Sequence, residues 1–461
     1  EPGSEDEDEA EDEDGEEGEE EEPVSQTSTA LAVTLLSTVA WIMSLFYFVN
    51  SSDPDIVAAT WRILNSMVSI FGAVLLFSAT KEVSVDFFGE RRGTTLHAPP
   101  NKTLAISCFR FLGFYILVKF LLFIFRKHHL WHLKVVGTMG AHVCGFGAIE
   151  VFGGLMQFQA PAESVVLEFV VVVGCLAAHV LIFYLADVFR RVVEPEHEAC
   201  RDWNEECEET EQEAAGLCLG LLLSMIFRRC LVGSMPPIHG SPKNKTEVQV
   251  WLLFSISIVT GIAVVGTTIV LQRLIRKYNP SRPIKRMCKG AVDALCMTMG
   301  WSLLFWGQWL FWTMFSLGTG HGARMISRLT LAMIFSAMVF IAIFVVDFIA
   351  DRVGGDAEDG LRKLLITLGL LMGLSWEAAF TEAVEGVSAH FEGHFRTLLD
   401  VGLTCGLCAV VLPAWALYIL PKTMEEDAQA EKARQLSEGE GEVRHMVLAK
   451  SEDTARSGTT P

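Results

Sequence analysis

Glu150 and Glu377 each stand inside an apolar run of the chain, well away from its basic end. A carboxylate at membrane depth is costly, so these two positions are the first places to look for chemistry. As a class, buried carboxylates exchange protons near neutral pH, and their charged form attracts cations. His179, near the middle of another apolar run, and Lys119, in a third, complete a set that could line a path for protons or cations. The same four residues have a second reading. A carboxylate paired with Lys119 or with a backbone group sets the register of two helices and moves nothing. Both readings stay open, because one sequence does not tell which runs are neighbours. Asp187, Asp293 and Asp347 lie near the basic ends of their runs, where Arg190 and Arg352 suggest interfacial ion pairs, and Arg110 is placed to snorkel outward.

Other constellations carry less. His128-His129-Leu130-Trp131-His132 and His390-Phe391-Glu392-Gly393-His394 resemble the histidine boxes that hold iron in membrane desaturases and hydroxylases. A metal site needs its ligands to converge. The orientation derived below puts these clusters on opposite faces of a membrane, so they read as basic residues at helix ends. Ala389-His390-Phe391-Glu392-Gly393 is also similar to the segment around the catalytic histidine of rhomboid proteases, with Gly373-Leu374-Ser375 in the nucleophile's place. In that family another helix separates the two, whereas Ser375 and His390 are close enough in sequence to lie on one helix or its end, so the match is set aside. His197, Cys200 and Cys207 sit among carboxylates in a spacing that fits no calcium or zinc pattern. Cys405-Gly406-Leu407-Cys408 lies in an apolar run with no access for redox partners. No catalytic, cofactor-binding or metal-binding set is assigned, and an enzyme is not expected.

The elements that must position these residues follow from composition. The chain has 461 residues, 51% of them hydrophobic. The apolar residues come in runs of about 20, the length that crosses a hydrocarbon core of roughly 30 Å as a helix. In lipid the backbone must pair with itself, which makes each run helical. The expected fold is an all-α polytopic membrane protein with spans near 30–49, 57–79, 104–125, 135–158, 165–189, 214–232, 249–272, 290–316, 327–350, 363–387 and 399–420. The sixth is the weakest, because its apolar core is short and Arg228-Arg229 follow it. An acidic tail (1–29) precedes this bundle (30–420), an acidic loop (192–213) interrupts it, and a polar tail (421–461) follows. Like charges repel, so the acidic stretches are expected to be solvated and the tails available to other proteins. A start at Glu1 implies a fragment or a processed product. The eleven cysteines fall mostly in apolar runs and read as small buried hydrophobes. Nothing basic is interleaved with aromatics as nucleic-acid binding requires.

Basic residues cluster at the ends of odd-numbered spans and the starts of even-numbered ones, which places that face in the cytoplasm and the N-terminus outside. The sequons at Asn101 and Asn244 then fall in external loops, and that at Asn50 falls inside. Echoes between His97–Thr103 and His239–Thr246, and among even-numbered spans, suggest a two-helix hairpin of about 70 to 80 residues used repeatedly. Gly216 with Gly220, Gly369 with Gly373, and Gly402 with Gly406 are spaced for close helix approach. Trp301, Trp306, Trp309 and Trp312 in the eighth span suit an interfacial belt, with the deeper ones facing lipid or a hydrophobic ligand. These features imply a bilayer-embedded transporter or channel for a small ion or solute. The alternative is a membrane scaffold or receptor-like protein that transports nothing. The sequons make one prediction: endoglycosidase treatment of the protein expressed in a glycosylating cell increases its gel mobility. The increment disappears in Asn101→Gln/Asn244→Gln and survives in Asn50→Gln.

Overall fold

The computed structural model describes residues 26–87, 100–193, 200–238, 245–314, 321–353, 355–391, 394–429 and 432. Among them there is no strand. The acidic N-terminal residues before Gln26, and the polar tail beyond 432, lie outside the described residues. In chain order the helices are α1 (Gln26–Val49), α2 (Pro54–Phe87), α3 (Pro100–Phe125), α4 (Leu130–Met156), the short α5 (Gln159–Glu163), α6 (Val165–Val193), α7 (Arg201–Val232), α8 (Glu247–Tyr278), α9 (Arg282–Met314), α10 (His321–Val353), α11 (Asp356–Ser388) and α12 (His394–Ala414).

Local chemistry sets several boundaries. Thr246 caps α8 by accepting from Gln249 N at 3.3 Å, and the Gln249 side chain accepts from Thr246 N in return. Gly233 ends α7 with φ 80°, a left-handed conformation that costs glycine nothing. Pro413 removes a backbone donor near the end of α12, and one π-helical turn, Trp415–Ile419, follows. That turn carries the Ala416 carbonyl, which accepts from Trp131 Nε1 at 2.8 Å, and the buried Trp415, which donates to Asn65 Oδ1 at 2.8 Å.

Nine of these helices are long and apolar enough to cross a membrane, among the described residues, which is the make-up of a multi-pass membrane protein. The two expected spans outside that set have physical reasons. Only the part Thr38–Val49 of α1 registers as an apolar helix. The first half of α9 carries Arg282, Lys285, Arg286, Lys289 and Asp293, and its second half is rich in tryptophan, which is only moderately hydrophobic. The apolar windows of α2, α4 and α7 are 61–67% buried, whereas those of α3, α6, α8 and α12 are 17–28% buried. The first three therefore form the centre and the other four turn apolar faces outward. Exposed Phe109, Ile116, Val166, Ile262 and Val410 suit contact with lipid tails.

Three expectations change. The acidic stretch read as a solvated loop is helical from Arg201 and begins α7, with Trp203, Glu206, Thr210 and Glu211 buried. Its neighbours across the bundle are cations, which remove the self-repulsion that argued for solvent. The sixth span, weakest in sequence, is accordingly a 32-residue central helix packed against α3, α4, α6, α8 and α9. Trp301, Trp306 and Trp309 face protein and not lipid; Trp301 Nε1 donates to Leu217 O at 3.2 Å.

Glycine spacing is used twice and ignored once. A Cβ at Gly220 would collide with Met297 on α9, and one at Gly373 would collide with the Met67 carbonyl on α2. At Gly402 and Gly406 a Cβ would meet nothing. Gly220→Val and Gly373→Val are therefore expected to destabilise the purified protein by about 1–3 kcal/mol, read as a lowered Tm, while Gly406→Val leaves Tm unchanged. Equal effects at all three would mean that α7–α9 and α2–α11 do not approach as described.

Candidate functional site

The four residues singled out from the sequence do not share one chamber. Glu150 on α4 is ion-paired with Arg110 on α3 and lies 3.3 Å from Lys81 Nζ on α2. Arg110, expected to snorkel outward, is instead 10% exposed and stacks over Phe77 at 5.3 Å. A carboxylate held by two cations is neutralised and positions three helices. Lys119 on α3 pairs with Glu211 on α7 and donates to the Cys207 carbonyl at 3.3 Å. His179 on α6 is buried among Phe111, Phe152 and Phe183, with Nδ1 2.9 Å from the Cys175 carbonyl and 3.5 Å from Cys175 Sγ. The Cys218 thiol is 3.7 Å from Cys175 Sγ.

Glu211 is the centre of the largest charged cluster. Its carboxylate has no exposed surface and meets Lys119, Arg190 at 2.9 Å and Arg286, from α3, α6 and α9. One turn earlier Lys134 of α4 bridges Glu206 at 2.8 Å and Glu209 at 2.7 Å. Arg282 and Lys289 of α9 reach Glu208 at 2.9 Å and Glu209 at 3.6 Å. Asp187 joins Arg190 and Arg191, as expected of an interfacial pair, and Asp293 joins Lys363 at 2.5 Å. Asn101 lies in the first turn of α3, and Asn244 falls outside the described residues. The first histidine cluster sits at the α3–α4 junction, where His132 stacks on Phe125 at 5.4 Å; His390 lies just beyond α11, toward the other end of the bundle. Ser375 donates to its own helix at Leu371 O.

Glu377 has different surroundings. On α11 it accepts from Thr381 Oγ1 at 2.7 Å. Thr381 in turn lines a cavity of about 50 Å³ between α2, α11 and α12. The polar wall of that cavity is Ser78 and Glu82 from α2, Thr381 and Glu385 from α11, and Asp400 and Thr404 from α12. No lysine or arginine is among its lining residues. Asp400 is 7% exposed, and its Oδ1 is buried and accepts no hydrogen bond. The positions are spaced by four on each helix, so each helix turns one polar face inward. Glu377, Thr381 and Glu385 make a three-turn stripe along α11. Sequence reasoning weighed Glu377 alone, because Glu82, Glu385 and Asp400 lie near helix ends, where carboxylates are ordinary. Repetition at i, i+4 and i+8 was the signal that could have found them.

Three carboxylates and three hydroxyls are an oxygen-only set, which suits protons or hard cations such as sodium and calcium and disfavours soft metals. Gathered on the wall of one small cavity, they concentrate negative charge in a confined space. A second cavity, of about 610 Å³, opens beside His390, Phe391 and Met325, but its carboxylate Glu382 is already bridged by Arg324 at 2.9 Å and Arg328 at 3.4 Å. It lacks the same pull on a cation.

No known protein family, curated protein or solved structure matches the chain. The functional reading therefore rests on its own residues. The charged cluster makes a prediction: Glu211→Gln leaves three buried cations short of a partner and costs about 3–5 kcal/mol. Glu209→Gln, half exposed, costs about 0–1 kcal/mol. Thermal unfolding in detergent checks both, and equal Tm values would contradict the placement of Glu211.

Proposed function

We propose that the chain is a multi-pass membrane transporter or channel for a small cation, entered through the acidic cavity between α2, α11 and α12. One observation carries the reading: Glu82, Glu385 and Asp400 from three helices line one cavity, and Thr381 links that cavity to Glu377. A cation in the cavity meets oxygen ligands alone, and the Thr381 hydroxyl connects it to a carboxylate one turn deeper. Small polar groups spaced along a helix can hand a proton or a stripped ion from one to the next. With α1 and α9 counted beside the nine apolar helices, the chain makes eleven crossings, one helix followed by five hairpins. The cavity then lies toward the outer face assigned by the basic residues, at the C-terminal ends of α2 and α11 and the start of α12.

The scaffold reading is favoured by a separate observation. Glu150 and Lys119 are closed into ion pairs, as register-setting groups are. That divides the set of four: Glu150 and Lys119 hold the bundle together, His179 is enclosed by aromatic rings, and Glu377 belongs to the path.

Purified protein in proteoliposomes, tested under imposed proton, sodium, potassium and calcium gradients, decides between them. The expected result is flux of one cation in the wild type, reduced about tenfold or more by Glu377→Gln and by Asp400→Asn, since each removes a charge the ion must meet. Glu150→Gln is expected to lower Tm instead. A wild type that passes none of the four ions would favour the scaffold.

A further inference from the structure

Two adjacent arginines close the last turn of α7, and the fold treats them in opposite ways. Arg229 is ion-paired with Glu168 of α6 and donates to the Ala162 carbonyl at 2.8 Å and the Pro161 carbonyl at 3.3 Å. Arg228 points the other way, toward α9. It has no exposed surface, and its guanidinium carbon lies 3.5 Å from the centroid of the Phe305 ring. None of its three side-chain nitrogens meets a hydrogen-bond acceptor among the described residues. The ring covers one face of the guanidinium. The five N–H groups lie in its plane and remain to be satisfied. A cation–π contact stabilises far less than desolvation of a guanidinium costs, so the site calls for a negative charge.

The neighbours sharpen that demand. Lys245, in the segment leading into α8, is close enough to Arg228 for the two charges to repel, and its amine sits over the Trp309 ring at 5.3 Å. Burial, and after it the Arg228 charge, holds the Lys245 amine below its ordinary value. Trp309 follows Phe305 by one turn on α9; it is 1% exposed and its buried Nε1 meets no acceptor among the described residues. One turn inward, Ser224 and Ser302 are occupied with each other at 3.2 Å. Two positive charges and an idle indole N–H therefore gather between α7 and α9, with no carboxylate among the described residues paired to either charge.

We propose that Arg228 and Lys245, with Trp309 beside them, hold a small inorganic anion of the chloride class. Size argues for a monatomic ion. α7 and α9 are in near backbone contact at Gly220, two turns inward, and Arg228 itself has no exposed surface. Complete burial of Arg228 also removes it from the bilayer face, where a lipid phosphate would arrive. The anion joins α7, α9 and the segment before α8 electrostatically, at the opposite end of α7 from Glu211. This site is separate from the acidic cavity and stands whether or not a cation is transported.

The test is thermal unfolding of the full chain in detergent while chloride replaces gluconate at constant ionic strength. The wild type is expected to gain a saturable rise in Tm with chloride, and Arg228→Gln to lose it. Should Arg228→Gln fail to fold, Lys245→Gln reads the same site: its half-saturating chloride concentration is expected to rise about tenfold, the size of one lost charge-assisted contact. Radiolabelled chloride bound to the wild type and displaced by bromide would confirm occupancy directly. A wild-type Tm indifferent to chloride would overturn the proposal. So would an unchanged chloride response in both variants, or a response to added anionic phospholipid in place of chloride.

Discussion

The bundle depends on the neutralisation of one buried carboxylate. Glu211 has no exposed surface, yet three cations from α3, α6 and α9 converge on it. A lone carboxylate there would be prohibitively costly to desolvate, and so would any of the three cations without it. The arrangement is therefore mutually obligatory: α7 enters the bundle only where α3, α6 and α9 already present positive charge. Lys134 from α4 extends the same logic to Glu206 and Glu209. Five helices thus share one electrostatic anchor at the basic end of the bundle. Hydrophobic burial cannot supply such an anchor within a membrane, since lipid is as apolar as a leucine side chain.

With α7 anchored, close packing follows along its length. Gly216 and Gly220 bring α9 alongside, and the same device at Gly369 and Gly373 brings α11 against α2. α2 then separates two polar systems. Lys81 reaches Glu150 toward α4, while the next residue, Glu82, lines the acidic cavity with α11 and α12. Successive residues on a helix point about 100° apart, so one helix serves both sides. One system is closed by opposite charge and holds helices together. The other gathers three carboxylates from α2, α11 and α12 around one small cavity.

Much of the architecture was legible in the chain. The positions of the long helices follow from runs of apolar residues, because 1.5 Å of rise per residue ties run length to membrane thickness. Glu377 was visible as an outlier within such a run. Glu82, Glu385 and Asp400 were not, since each looks ordinary near its own helix end and acquires meaning only when α2, α11 and α12 are adjacent. The acidic stretch from Arg201 misled for a related reason. Its like charges argue for solvent in isolation, and the cations that tame them come from Lys119, Lys134, Arg190, Arg282, Arg286 and Lys289, far apart along the chain.

The sequence by itself therefore determined that this is a many-helix membrane protein, where its long helices run, and which ionisable residues are expensive. These are properties of one helix at a time, set by local composition and the geometry of the backbone. Only the tertiary structure decided the fate of each charge: Glu150 and Lys119 paired, Arg228 left facing Phe305, and Glu377 joined to an acidic cavity. Pairing depends on distances between helices, and a Coulombic contact at 3 Å in a poorly screened interior outweighs anything a residue's own neighbours in sequence can signal.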